Sequence, residues 1–115
     1  MTKHLICTKQ TLMQQDTIEF TLPNKVDDQP TTAIILYHQD HIYGYINRCP
    51  HLNIPLNWQP DTFLNAEKTH LQCATHGALF LLATGECVSG PCFGDTLSPL
   101  SLECDADDRI WLKVP

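Results

Sequence analysis

The chain has 115 residues, 43% of them hydrophobic, and a formal net charge of -6 at pH 7. That length allows one domain with one modest core and excludes a fused multidomain enzyme, while the apolar content excludes wholesale disorder. Thirteen acidic side chains against seven Lys and Arg repel a phosphate backbone and an anionic lipid surface alike, so neither nucleic acid nor a membrane is expected as a partner.

The N-terminal stretch MTKHLICTKQTLMQQ lacks the apolar centre of a leader peptide. The longest apolar run, Ala78 to Ala83, falls far short of the ~20 residues that a membrane span needs. The chain therefore reads as cytoplasmic. In that reducing compartment six cysteines point to metal binding or catalysis rather than to a disulfide framework.

No segment sustains a 3.6-residue period, and short runs of Val, Ile, Leu, Phe and Tyr recur between turn residues, which predicts an all-β chain. Asp16 to Leu22 alternates, with Ile18, Phe20 and Leu22 on one face of a half-buried strand. Asn24 to Pro30 reads as a loop. Ala33 to His38 and His41 to Ile46 are two strands separated by Gln39-Asp40, the spacing of a hairpin. His38 and His41 then bracket a solvated turn. Asn47 to Pro91 concentrates Pro, Gly, Cys and His, the composition of loops and short hairpins. Leu97 to Cys104 and Arg109 to Val114 close the chain as two strands around the acidic turn Asp105-Ala106-Asp107-Asp108. Cys7 and Cys104 fall in predicted strands and read as small core residues. The expected architecture is a single domain over residues 1–115. A small antiparallel β base, sandwich-like or barrel-like, is built from residues 1–46 and 93–115, with residues 47–92 inserted as a metal-bearing lobe.

Two loops each present one cysteine and one histidine: Cys49-x-His51 and Cys73-x-x-His76, with 21 residues between His51 and Cys73. A Cys2His2 set can hold a structural zinc, yet zinc sites usually pair cysteine with cysteine and histidine with histidine. Mixed pairs suit a binuclear centre in which both thiolates meet one iron and both imidazoles the other.

With Cys49-Pro50-His51, Cys73-Ala74-Thr75-His76-Gly77-Ala78-Leu79-Phe80, Ala83-Thr84-Gly85-Glu86 and Ser89-Gly90-Pro91 in that order, the sequence resembles the Rieske iron-sulfur family. These strings are similar to the family's two cluster loops, the following turn and the proline-bearing loop that covers the cluster. The resemblance implies a Rieske-like fold and a Rieske-type 2Fe-2S cluster bound by Cys49, His51, Cys73 and His76. Three departures stand out. The interval between the ligand pairs is longer than usual, which predicts an excursion over Asn57 to Thr69 packed down by Trp58, Phe63 and Leu64. Asn53 stands where many members have glycine, and asparagine tolerates positive φ best among the other residues. Ile54 and Thr75 stand where high-potential members carry a bridging cysteine pair, so the chain resembles the low-potential, ferredoxin-type branch.

Two ferric ions, two sulfides and two thiolates sum to zero charge when neutral imidazoles complete the site, so an electron enters more easily than at an all-thiolate centre. Rieske potentials accordingly run roughly -150 to +300 mV against about -400 mV for plant-type clusters. The resemblance implies an electron carrier between a flavin reductase and an oxygenase, with the electron leaving by the outer edges of His51 and His76. The alternatives are a small subunit of a larger reductase, like those of nitrite reductase, and a structural zinc-binding module. An oxygenase would need a second, mononuclear iron site, for which 115 residues leave no domain. Cys87 and Cys92 flank Ser89-Gly90-Pro91 and read as thiols on the covering loop, not required for the redox centre.

Overall fold

The computed structural model describes residues 2–22, 31–48, 63–65, 67–73, 77–90 and 93–114. These residues build three antiparallel sheets of three strands each. The first joins the two ends of the chain: β1 (Thr2–Thr8) and β8 (Leu102–Cys104) flank β9 (Arg109–Val114). The second is the meander β2 (Thr17–Thr21), β3 (Thr32–His38) and β4 (His41–Ile46). The third is the smaller meander β5 (His70–Gln72), β6 (Leu79–Leu81) and β7 (Cys87–Ser89).

The expected hairpin between β3 and β4 is present, with His38 paired to His41 across Gln39-Asp40. Both turn residues have positive φ, 50° and 64°, and the Tyr37 hydroxyl donates 2.8 Å to Asp40 Oδ1, so the aspartate side chain stabilises its own turn. β2 also stands where alternation placed it, and Ile18, Phe20 and Leu22 all pack on one core. The acidic turn closes the β8–β9 hairpin. Asp105 is its hub, accepting from the backbone N–H groups of Asp107 and Arg109 and from Arg109 Nε and Trp111 Nε1, each at 2.9 Å.

The all-β expectation holds apart from one short helix, and two further expectations are corrected. A helix, α1 (Lys9–Gln15), follows β1: the Thr8 hydroxyl accepts from the Thr11 N–H at 3.2 Å as an N-cap, and Leu12 is buried. Seven residues are too few for a 3.6-residue period to declare itself. First, the strand expected from Leu97 to Cys104 is confined to Leu102–Cys104. Residues 97–101 run beside β4 through a single bridge, Tyr45 opposite Pro99, flanked by bonds from Ile46 N–H to Ser98 O at 2.9 Å and from Leu100 N–H to Gly44 O at 2.8 Å. Second, Cys104 is exposed and not a core residue. Cys7 is half-buried against the core, and burial pushes its thiol pKa up. The loop over Asn24 to Pro30 lies outside the described residues.

β3 runs through the middle of the packing. Ile34 and Leu36 join Tyr45, Phe63, Leu71, Cys73, Ala78, Phe80, Leu82, Cys87 and Leu97 in one apolar cluster. Ala33 and Ile35, on the opposite face, join Leu12 and Ile110 in a second. Of the residues expected to pack down the long interval, Phe63 is buried and Leu64 packs beside it, while Trp58 lies outside the described residues.

Candidate metal centre

Cys73 follows β5 directly and is fully buried. Register with β6 places it there: His70, Leu71 and Gln72 pair with Leu81, Phe80 and Leu79, and the Gln72 N–H reaches Phe63 O at 2.8 Å. Past β5 the backbone closes on itself. The Cys73 N–H donates to Ala78 O at 2.9 Å, and the Gly77 N–H donates to Cys73 O at 2.8 Å. Cys73, Gly77 and Ala78 thus form a clamped base on either side of residues 74–76. Cys49, His51 and His76 lie outside the described residues, and among the described residues no three His, Cys, Asp or Glu side chains converge.

The approach to the first Cys/His loop is also pinned. Asn47, two residues before Cys49, is buried and donates through Nδ2 to Thr32 Oγ1 at 2.9 Å and Glu19 Oε2 at 3.3 Å. Thr32 Oγ1 in turn donates to the same carboxylate oxygen at 2.7 Å, and Arg48 Nη2 donates to Thr31 Oγ1 at 3.3 Å. A buried amide with its donors satisfied fixes direction, since any rotation would strand them. Nothing in the sequence marks Asn47 or Glu19 for this task, because the partners come from β2 and β3 and meet only in the fold.

The turn Ala83-Thr84-Gly85-Glu86 is built as its residues suggest. The Thr84 hydroxyl accepts from the Glu86 N–H at 3.2 Å, and the Gly85 N–H reaches Leu81 O at 2.8 Å. Gly85 has φ 75°, and an added Cβ would stand 2.8 Å from Tyr45 Cε1, so glycine is required twice over. At the third loop, Gly90 has φ 103° and an added Cβ would lie 2.8 Å from the Cα of Ala78. Gly90 therefore rests directly on the residue that clamps Cys73. Pro91 and Cys92 lie outside the described residues. Cys87 is buried, and its Sγ donates to Ser89 O at 3.3 Å.

These features fit a thiolate-bound cluster. Cys73 is enclosed by Leu71, Ala78 and Phe80, a dry apolar seat for a sulfur, which is a soft metal ligand. The cradle of Gly90 against Ala78 is one that any side chain would fill. Among the described residues no helix is long and apolar enough to cross a membrane.

The family model of the Rieske [2Fe-2S] domain matches residues 3–103. No curated protein sequence matches. The fold is similar to that of the ferredoxin of carbazole 1,9a-dioxygenase from Nocardioides aromaticivorans IC177, with a TM-score of 0.71 and 21% identity over 97% of both chains. It is similar as well to the plasma membrane Rieske protein from Synechocystis PCC 6803, with a TM-score of 0.70 and 19% identity over 96% of this chain and 99% of that one. Against the terminal oxygenase of carbazole 1,9a-dioxygenase from Novosphingobium sp. KA1 the TM-score is 0.74 and the identity 13%, over 97% of this chain but 29% of the oxygenase. A family match spanning nearly the whole chain accounts for the loop that Cys73 and Ala78 close and for the glycine seated on it: the chain belongs to the Rieske 2Fe-2S family and takes a Rieske-type 2Fe-2S cluster as its cofactor.

Proposed function

We propose that the protein is a Rieske-type ferredoxin, a one-electron carrier that is not itself an enzyme, with Cys49, His51, Cys73 and His76 as its cluster ligands. The observation that carries this reading is the placement of Cys73, buried at the clamped base of the loop that leads to His76. When bound, the cluster accepts and releases one electron. The chain's own residues would hold it, Cys49 and Cys73 through sulfur and His51 and His76 through imidazole nitrogen, with Gly90 seated against Ala78 beside Cys73. The base of residues 1–46 and 93–115 carries the lobe of residues 47–92 in this reading, the whole forming one domain.

A carrier is supported by the similarity to the ferredoxin of carbazole 1,9a-dioxygenase, at a TM-score of 0.71 over 97% of both chains. An oxygenase partner is supported by the similarity, at 18% identity and a TM-score of 0.71, to the complex of reduced oxygenase and oxidized ferredoxin in carbazole 1,9a-dioxygenase. A flavin reductase would supply the electron, in the cytoplasm.

Protein purified without oxygen should hold two irons and two acid-labile sulfides per chain, with a reduced-state EPR average g value below that of all-cysteine clusters. Stoichiometric zinc without visible absorption would replace the ligand assignment with a structural site. Refusal of electrons from every reductase, together with tight association with a large catalytic subunit, would replace the carrier with a reductase subunit.

A further inference from the structure

We propose that Phe93 is the anchor by which this protein docks on its redox partner, a protein that offers an apolar hollow ringed by Lys or Arg side chains. The inference rests on the carrier reading above. Phe93 is 75% exposed, more than the other outward large hydrophobics among the described residues, Leu5 at 51% and Met13 at 48%. A single exposed apolar residue needs no explanation by itself. Its position supplies one.

The ring stands on a braced turn. The Phe93 N–H reaches Gly90 O at 3.2 Å, and the Gly94 N–H reaches Cys87 O at 3.2 Å. Gly90 in turn rests on Ala78, whose carbonyl holds the Cys73 N–H at 2.9 Å. Phe93 is therefore mounted on the same backbone scaffold as the cluster cysteine, a few contacts away from it. The flank is open, for an added Cβ on Gly94 would meet nothing within 4 Å. An aromatic ring with two torsions loses little entropy on burial, and such rings dominate the binding energy of small interfaces.

Charge selects the partner. Asp95 and Glu86 are exposed on the two segments that flank the turn, joined by the Cys87 N–H to Asp95 O bond at 2.8 Å and the bridge from Glu86 to Thr96. From Thr69 to Asp108 the sequence has no Lys or Arg at all. The turn is thus flanked by two exposed carboxylates, which attract a basic rim and repel an acidic one.

Mitochondrial cytochrome c, a basic haem protein with lysines around an exposed apolar haem edge, is the probe. One electron passes from the dithionite-reduced protein to the ferric haem, which becomes ferrous, and no proton or bond is involved. Binding is read separately, by NMR titration of ferric cytochrome c with the oxidised protein. Phe93→Ala should raise Kd and lower the second-order transfer rate about tenfold, leaving the visible spectrum and melting temperature unchanged, while Phe93→Trp retains both. Glu86→Gln with Asp95→Asn should flatten the salt dependence of the rate. An unchanged Kd in Phe93→Ala overturns the docking role while leaving the carrier intact. A loss of affinity accompanied by an altered spectrum also overturns it, since the residue would then be structural. Wild-type protein that binds cytochrome c but never reduces it overturns the carrier reading, and the proposal with it.

Discussion

The Tyr45 hydroxyl donates 2.8 Å to the carbonyl of Leu82, 37 residues further along the chain. This bond ties β4 to the turn after β6, and the same ring forms the wall against which Gly85 is fitted. Burial, with Tyr43 as a smaller cause, pushes the phenol pKa up to about 12.

Tyr45→Phe should cost about 1 kcal/mol, because a buried carbonyl loses its donor. The native phenol ionises at higher pH than the unfolded one, so stability is constant below about pH 10 and falls as pH rises from there toward 12. Urea unfolding from pH 7 to pH 11 should show that decline in the parent and a shallower one in the phenylalanine variant.

Gly90→Ala places a methyl 2.8 Å from a backbone carbon at φ 103°. Neither Ala78 nor the turn can yield without disturbing the Cys73 clamp, so the expected cost is about 1–3 kcal/mol, with faster loss of the cluster to chelators. Gly94→Ala shares the positive φ but meets no neighbour, and should lose the cluster no faster than the parent.

Asp105→Asn tests the acidic turn. The Trp111 indole N–H, the Arg109 and Asp107 backbone N–H groups and the Arg109 side chain hold the Asp105 carboxyl well below the usual carboxylate range. A depressed native pKa gives stability that is complete above about pH 4 and is lost as pH falls below it. The variant should melt several degrees lower at pH 7, and the two melting curves should converge in acid.

Lys68→Ala should change little. Its ammonium lies 3.1 Å from Asp16 Oδ2, but the two side chains are 68% and 40% exposed. Solvent and salt screen such a pair to below about 1 kcal/mol, which thermal unfolding across a salt series would register as near-coincident curves.

Much of this molecule is legible along the chain, and the illegible parts share a cause. The β3–β4 hairpin is written in runs of β-branched and aromatic residues, and the 105–108 turn in three closely spaced aspartates, so local chemistry is enough. Cys73 is marked by its string of neighbours. By contrast, the Asn47–Thr32–Glu19 network and the seat of Gly90 on Ala78 join residues distant in sequence, and no spacing announces them. The short helix α1 is a borderline case: its Thr8 cap is visible once sought, but a single buried leucine gives no stripe. The expected burial of Cys104 fails because its short strand lies at a sheet edge, where alternation does not ensure cover.

The alternation of β3 between two apolar clusters has a consequence for mispairing. In a sheet with one wet face, a slip by one residue exposes one core. Here the same slip would carry Ile34 and Leu36 into the cluster of Leu12 and Ile110, and Ala33 and Ile35 into that of Phe63 and Cys73. Large side chains would crowd one side while small Ala33 left a void in the other, so the error is punished in both places at once. The strand that separates the two apolar clusters thereby proofreads the packing of each.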